Sequence, residues 1–276
     1  MKRKANKMYN GYTVVDAHAH IFPDKIAERA TDGISHFYDL PMSHQGSVHE
    51  LFESGDKAGI DGYLVCSTAT HPSQAEAINN YIQAVCAEYP QCIGFAALHP
   101  YSETLVTEFE KILKLPFKGI KLHPDFQEFD IDDKKVYPMY EMIESSGLPV
   151  LMHMGDETRT YSVPYRLAKV LDDFPKLRVI AAHLGGYQRW EEASQILKPS
   201  NRLRFDTSSC LDFMPPEKAV KFIRKHGVEN CFFGVDFPMW DHSEELERFF
   251  RLGLTDTENK AILSKNFIEW IRKSNN

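Results

Sequence analysis

Short runs of β-branched and apolar residues alternate along this chain with longer stretches in which apolar residues recur every three or four positions, the periods of strand and helix. The runs predict strands near 13–21 (TVVDAHAHI), 61–68, 92–99, 117–123, 149–154, 178–184, 203–209 and 231–237. Between them, Ala75, Ile78, Ile82 and Val85 mark a helix over 74–89 that stops before Pro90. Ser102 offers an N-cap for a helix over 102–114, and Gly147 a C-cap for one over 133–146. Further helices are expected over 163–173, 189–197, 216–226, 243–252 and 256–273.

Eight strands, each followed by a helix, predict an α/β fold: a distorted TIM (β/α)8 barrel occupying 13–276 as a single domain, after an N-terminal extension, 1–12. An open doubly wound sheet uses the same alternation, but it rarely needs eight units, and no glycine-rich phosphate loop follows the first strand. Segment 23–45 is too long for a plain strand-to-helix connection and reads as an insertion over the barrel mouth.

Composition narrows the partners. Across 276 residues, 43% hydrophobic and 26% charged, there is enough apolar material for a core, which excludes wholesale disorder. The net charge of -7 gives no general attraction to nucleic acid or an anionic membrane surface. No apolar run is long enough to predict a membrane span, and the basic start MKRKANKMYNGY lacks the apolar stretch of a secretory signal. Cys66, Cys86, Cys92, Cys210 and Cys231 are scattered without a CxxC, as suits a reducing compartment, and a cytoplasmic location is expected.

Histidine placement carries the chemistry. His18, His20, His71, His99, His123, His153 and His183 all fall at or just past the C-terminal ends of predicted strands, the catalytic end of a barrel. His18 and His20 are two apart, so both imidazoles leave one face of the first strand and make a seat for a divalent transition metal. Asp16 shares their parity as an orienter. An HxH alone is weak, but His153, His183 and Asp236 follow on later strands. Asp236 lies in the apolar run FFGVDFP, where a carboxylate is costly to bury unless it is paired or metal-bound. It reads either as half of an ion pair or as a metal ligand that also accepts a proton from water.

The ordered motifs DAHAH, GIKLHP, VLMHMG, AAHLGG and FGVDFP resemble those of the amidohydrolase superfamily. More narrowly, they resemble the amidohydrolase-related branch that holds the aminocarboxymuconate-semialdehyde decarboxylase-like enzymes. The resemblance runs from about residue 13 to KAILSKNFIEWI and implies a metal near the barrel mouth. It implies that His18, His20, His153 and Asp236 bind one divalent ion, zinc first and manganese second, with His183 in proton transfer. Members are often dimers, which leaves a homodimer open.

Lys121 stands where binuclear members carry a carboxylated, metal-bridging lysine, while the decarboxylase-like members manage with one ion. The expectation is one metal and an unmodified Lys121 that binds substrate or pairs with a carboxylate. His123, Phe22 and Arg159 are the other expected substrate contacts, with Arg159 suited to clamping a carboxylate. The leading function is hydrolysis of a small amide, lactone or related carbonyl substrate by metal-activated water. The alternative is non-oxidative decarboxylation of an unsaturated or aromatic carboxylate. A third reading is a catalytically silent binding barrel.

Overall fold

The computed structural model describes residues 11–272; most of the extension 1–12 therefore lies outside the described residues. Eight parallel strands form one sheet in sequence order: β1 (Val15–His20), β2 (Gly62–Cys66), β3 (Cys92–Ala97), β4 (Gly119–Leu122), β5 (Val150–Met152), β6 (Val179–Ala181), β7 (Leu203–Asp206) and β8 (Cys231–Phe232). β8 returns to β1 through backbone bonds from Ala17 N to Phe233 O (2.9 Å), Asp236 N to His18 O (2.8 Å) and His20 N to Phe237 O (2.6 Å). The fold is a TIM barrel, and its closing seam runs between His18, His20 and Asp236.

The helices are α1 (Asp24–Tyr38), α2 (Val48–Ala58), α3 (Ala75–Glu88), α4 (Leu105–Leu113), α5 (Pro124–Gln127), α6 (Tyr137–Ser146), α7 (Pro164–Asp173), α8 (Trp190–Ile196), α9 (Pro216–His226), α10 (His242–Phe250), α11 (Asp256–Lys260) and α12 (Asn266–Arg272). Gly147 ends α6 with φ of 72°, as its place after the helical pattern predicts. Ser102 does not cap α4 directly. The helix begins three residues later, and the Ser102 hydroxyl instead accepts from Thr104 N in the turn before it.

Two apolar layers follow from strand alternation. Val15, Ala17, Leu64, Phe95, Leu151, Ile180 and Phe232 fill the barrel interior, and Phe267, Trp270 and Ile271 of α12 pack with them. The opposite faces, such as Val65, Ile120, Val150 and Val179, pack in the larger cluster outside the barrel. The observed strands are shorter than the predicted ones, chiefly at their C-terminal ends. His183 is in a 3-10 turn rather than in β6, and Asp236 lies four residues beyond β8. Both adopt left-handed backbone, φ of 58° and 66°, which a parallel ladder does not accommodate.

Segment 23–45 leaves the barrel after Phe22 and returns at Gly46, whose carbonyl accepts from Phe22 N at 2.8 Å. Within it, α1 lies along the mouth, and Thr31 Oγ donates to Gln45 O across the base of the excursion. Ser43 N and His44 N donate to the carbonyls of Met239 and Pro238, tying the returning strand to the loop after β8.

Candidate active site

The seam of the barrel brings three predicted residues onto one point. His18 Nε2 and His20 Nε2 are 3.2 Å apart, and each is 3.5 Å from Asp236 Oδ1. Donor atoms held at about 2.0–2.2 Å from one ion stand roughly 3.0–3.5 Å from one another, so these three atoms have the spacing of one face of a coordination shell. Their electronic state agrees. His18 Nδ1 donates to Asp206 Oδ2 at 3.1 Å, which leaves the Nε2 lone pair facing inward, where the Lys121 ammonium donates to it at 2.9 Å. Burial, then Lys121 and His18, pull His20 well below the ordinary histidine range, keeping it neutral. Burial alone would raise Asp236, but the imidazoles of His18, His183 and His20 and a bond from Ser209 Oγ (2.6 Å) hold it well below the usual carboxylate range. The residues present fit a divalent cation.

His153 and His183 form the second half of the site. His153 Nε2 donates to Gly155 O at 2.9 Å and His183 Nδ1 donates to Ser208 O at 3.0 Å. A carbonyl only accepts, so each bond fixes a tautomer and leaves the other ring nitrogen with a lone pair. Those two nitrogens, His153 Nδ1 and His183 Nε2, face each other at 3.0 Å. Burial lowers both residues, His153 further because His183 and Lys121 stand beside it. Gly155 is required here. Its φ is 81°, and a Cβ would stand 2.4 Å from Tyr187 N.

The other expected residues are placed as follows. Lys121 is buried beneath the histidines, where burial lowers its ammonium despite Asp236 and Asp206 nearby. His123, Phe22 and Arg159 line the cavity above. Arg159 is partly committed: its Nη1 donates to Asp125 O at 3.0 Å and its guanidinium lies 4.2 Å over the Phe37 ring. Asp16 orients through the backbone, accepting from His18 N and Val235 N and pairing with His242 Nε2 at 3.2 Å.

Two residues that sequence reasoning missed are central. Asp206, at the end of β7, is fully buried and accepts from His18 Nδ1, His183 N and Ser208 N. The only signal for it was an acid in the middle of the predicted strand LRFDTSS. Tyr38, in the last turn of α1, hangs its hydroxyl 3.1 Å from His123 Nε2 and 3.5 Å from His153 Nε2. Nothing in the pattern of segment 23–45 singled it out. His123 and His153 stack with ring centroids 3.8 Å apart, and Phe126 stacks on the far face of His123 at the same distance. The cavity over this floor has a volume of about 700 Å³ and walls that include Phe22, Ile34, Phe37, Phe126 and Met239.

Comparisons with known proteins follow this geometry. A family model described as amidohydrolase matches residues 15–271. A curated relative, 7-carboxy-7-deazaguanine synthase of Koribacter versatilis, is 29% identical over 107 residues, which span 39% of this chain and less than half (44%) of that protein. The crystal structure of 5-carboxyvanillate decarboxylase from Sphingomonas paucimobilis superposes with a TM-score of 0.75 at 15% identity, covering 94% of this chain and 99% of that one. A dihydroxybenzoic acid decarboxylase from a Polaromonas species, with bound manganese and the inhibitor 2-nitroresorcinol, gives 0.74 at 16% identity over 95% and 97%. A Pseudomonas putida protein assigned as a 2-pyrone-4,6-dicarboxylic acid hydrolase gives 0.67 at 17% identity over 94% and 97%. Among the described residues, no helix is long and apolar enough to cross a membrane.

Proposed function

The chain belongs to the amidohydrolase family, and from that premise we propose that it is a metal-dependent carboxy-lyase acting on a small aromatic or unsaturated carboxylate. The observation that carries this reading is the cavity: about 700 Å³ with largely apolar walls rich in aromatic rings, closing onto a floor of neutral imidazoles and the carboxylates of Asp236 and Asp125. Aromatic walls of this kind stack against a planar ring. Fold neighbours that are decarboxylases add support. Hydrolysis of a small carbonyl substrate, the leading expectation from sequence, is the less supported reading.

In this site His18, His20, His153 and Asp236 would hold one divalent ion, and the manganese in the Polaromonas neighbour makes manganese as good a candidate as zinc. When bound, the ion supplies positive charge that draws the substrate's oxygens to the floor of the cavity. The rest falls to the chain. Aromatic walls exclude water and fix the ring plane. Arg159, at the rim, offers its remaining N–H groups to an anionic substituent. His183, anchored through Nδ1 to Ser208 O, exchanges a proton at Nε2. As the carbon–carbon bond breaks and carbon dioxide leaves, its electron pair stays on the ring carbon and takes up a proton that His183 Nε2 has first accepted from water or from a substrate hydroxyl. Lys121 and His123 support the substrate side of the floor.

The test is a panel of 2,6-dihydroxybenzoate, 5-carboxyvanillate and 2-pyrone-4,6-dicarboxylate, followed for carbon dioxide and for acid release. Carbon dioxide from a carboxylate is expected. Acid release from the lactone alone would replace this reading with the hydrolytic one.

A further inference from the structure

The Tyr38 hydroxyl is unusual in what surrounds it. His123 Nδ1 accepts from Phe126 N at 3.3 Å, so in the neutral ring the proton sits on Nε2, and that N–H points at the phenol oxygen. His153 Nε2 also carries its proton, which it gives to Gly155 O, so the more distant contact at 3.5 Å offers the phenol no acceptor either. Both imidazoles therefore present N–H to Tyr38, and neither takes its proton. Among the described residues none accepts from the Tyr38 hydroxyl, and the cavity lies in front of it.

The position is built. Phe37, the preceding residue, packs edge-on against Phe126 at 4.6 Å and lies under the Arg159 guanidinium, and the Tyr38 ring packs edge-on against Tyr187 at 5.7 Å. The last turn of α1 is thus clamped on both sides while its phenol enters the site. A phenol, with an ordinary pKa of about 10, keeps its proton at neutral pH, so it arrives as a donor.

We infer that Tyr38 is a catalytic residue that α1 carries into the barrel, donating its hydroxyl hydrogen to an oxygen of the substrate beside the reacting carbon. The substrate class implied is a carboxylate with a neighbouring oxygen acceptor, such as an ortho-hydroxyl, phenolate or ring carbonyl. This rests on the pocket assignment above, but not on which bond is broken there.

The experiment compares wild type with Tyr38→Phe, which removes one oxygen atom and keeps the ring. Binding of 2-nitroresorcinol is titrated by its visible absorbance, and kcat and KM are measured on whichever of 2,6-dihydroxybenzoate or 2-pyrone-4,6-dicarboxylate is turned over. Expected are unchanged metal content, a shifted nitrophenol band with roughly tenfold weaker binding, and a kcat lower by about 10²-fold with KM within a few-fold, the scale for a lost transition-state donor. An identical band and kinetics within twofold of wild type would overturn the inference. So would a loss of activity accompanied by faster hydrogen exchange across α1, which would make the phenol a pin for the helix. Turnover of the lactone only, with the same kcat loss, would remove the carboxy-lyase reading and keep Tyr38.

Discussion

His153 Nδ1 and His183 Nε2 face each other at 3.0 Å, and backbone carbonyls have taken the proton of each ring on the other side. Two lone pairs at that distance repel unless a cation or a shared proton lies between them. The pair is thus a place where one positive charge is always wanted. If His153 turns its lone pair to the ion, the His183 Nε2 lone pair is left free to take up a proton and pass it on. His183→Asn is expected to retain metal and fold while kcat falls by about 10²–10⁴. Metal analysis beside kinetics checks this; loss of the ion along with activity would make His183 a ligand.

The three-atom face of His18, His20 and Asp236 predicts that the ion depends on each. His18→Ala and Asp236→Ala should each lower bound metal by at least an order of magnitude, read by elemental analysis of dialysed protein. Wild-type metal content in both variants would mean that the ion is held elsewhere.

Lys121 is expected to be unmodified, with one ion per chain. Its amine lies 2.9 Å from His18 Nε2, already used as a donor in the buried floor. Intact-protein mass spectrometry under non-acidic conditions should show no added carbon dioxide on Lys121. Such an adduct with two ions per chain would establish the binuclear alternative.

Asp206 holds His18 through its side chain and His183 through its backbone, so one carboxylate sets both halves of the site. An amide at this position keeps one oxygen and loses the other acceptor. Asp206→Asn should weaken metal binding by about 10–100-fold, the usual cost of losing a partner behind a metal-ligating histidine. An unchanged metal titration would reduce Asp206 to a packing role.

Away from the site, Glu245 on α10 is 1% exposed, pairs with Arg248 at 3.0 Å, and has Oε1 recorded without a partner. Burial raises its carboxyl to about 8 despite the arginine. Between its unfolded range near 4.3 and 8, the folded state binds more protons than the unfolded, so this residue makes stability fall as pH rises. Glu245→Gln should be stabilising by about 1–3 kcal/mol at pH 8, with the gain shrinking toward pH 5. Thermal melts across that range check the slope; a constant difference would assign the effect to packing.

Much of this architecture was legible because burial writes itself into period. Most of the strands are apolar runs broken by one or two polar residues, and the HxH of β1 needs only alternation to put both imidazoles on one side. What was illegible depends on backbone that leaves the regular periods. His183 and Asp236 reach their positions through left-handed turns, not along extended strands, so their directions could not be read from parity. Asp206 looks like one acid inside a predicted strand until the barrel closes and sets it behind His18. Tyr38 belongs to a helix whose amphipathic face turns toward a cavity rather than a core.

The clasp between Phe22 N and Gly46 O has a consequence for how such a barrel diversifies. The excursion it closes begins and ends at nearly one point, so its length is set apart from the ladder beneath, with Ser43 N and His44 N tying its return to the loop after β8. An exchange at that clasp replaces the roof of the pocket, with Phe37 and Tyr38, in a single event and leaves the strands that carry the proposed ligands His18, His20 and His153 in place. Lineages sharing this floor are therefore free to change what they accept by trading a cassette, with no need to pass through intermediates that have lost the ion.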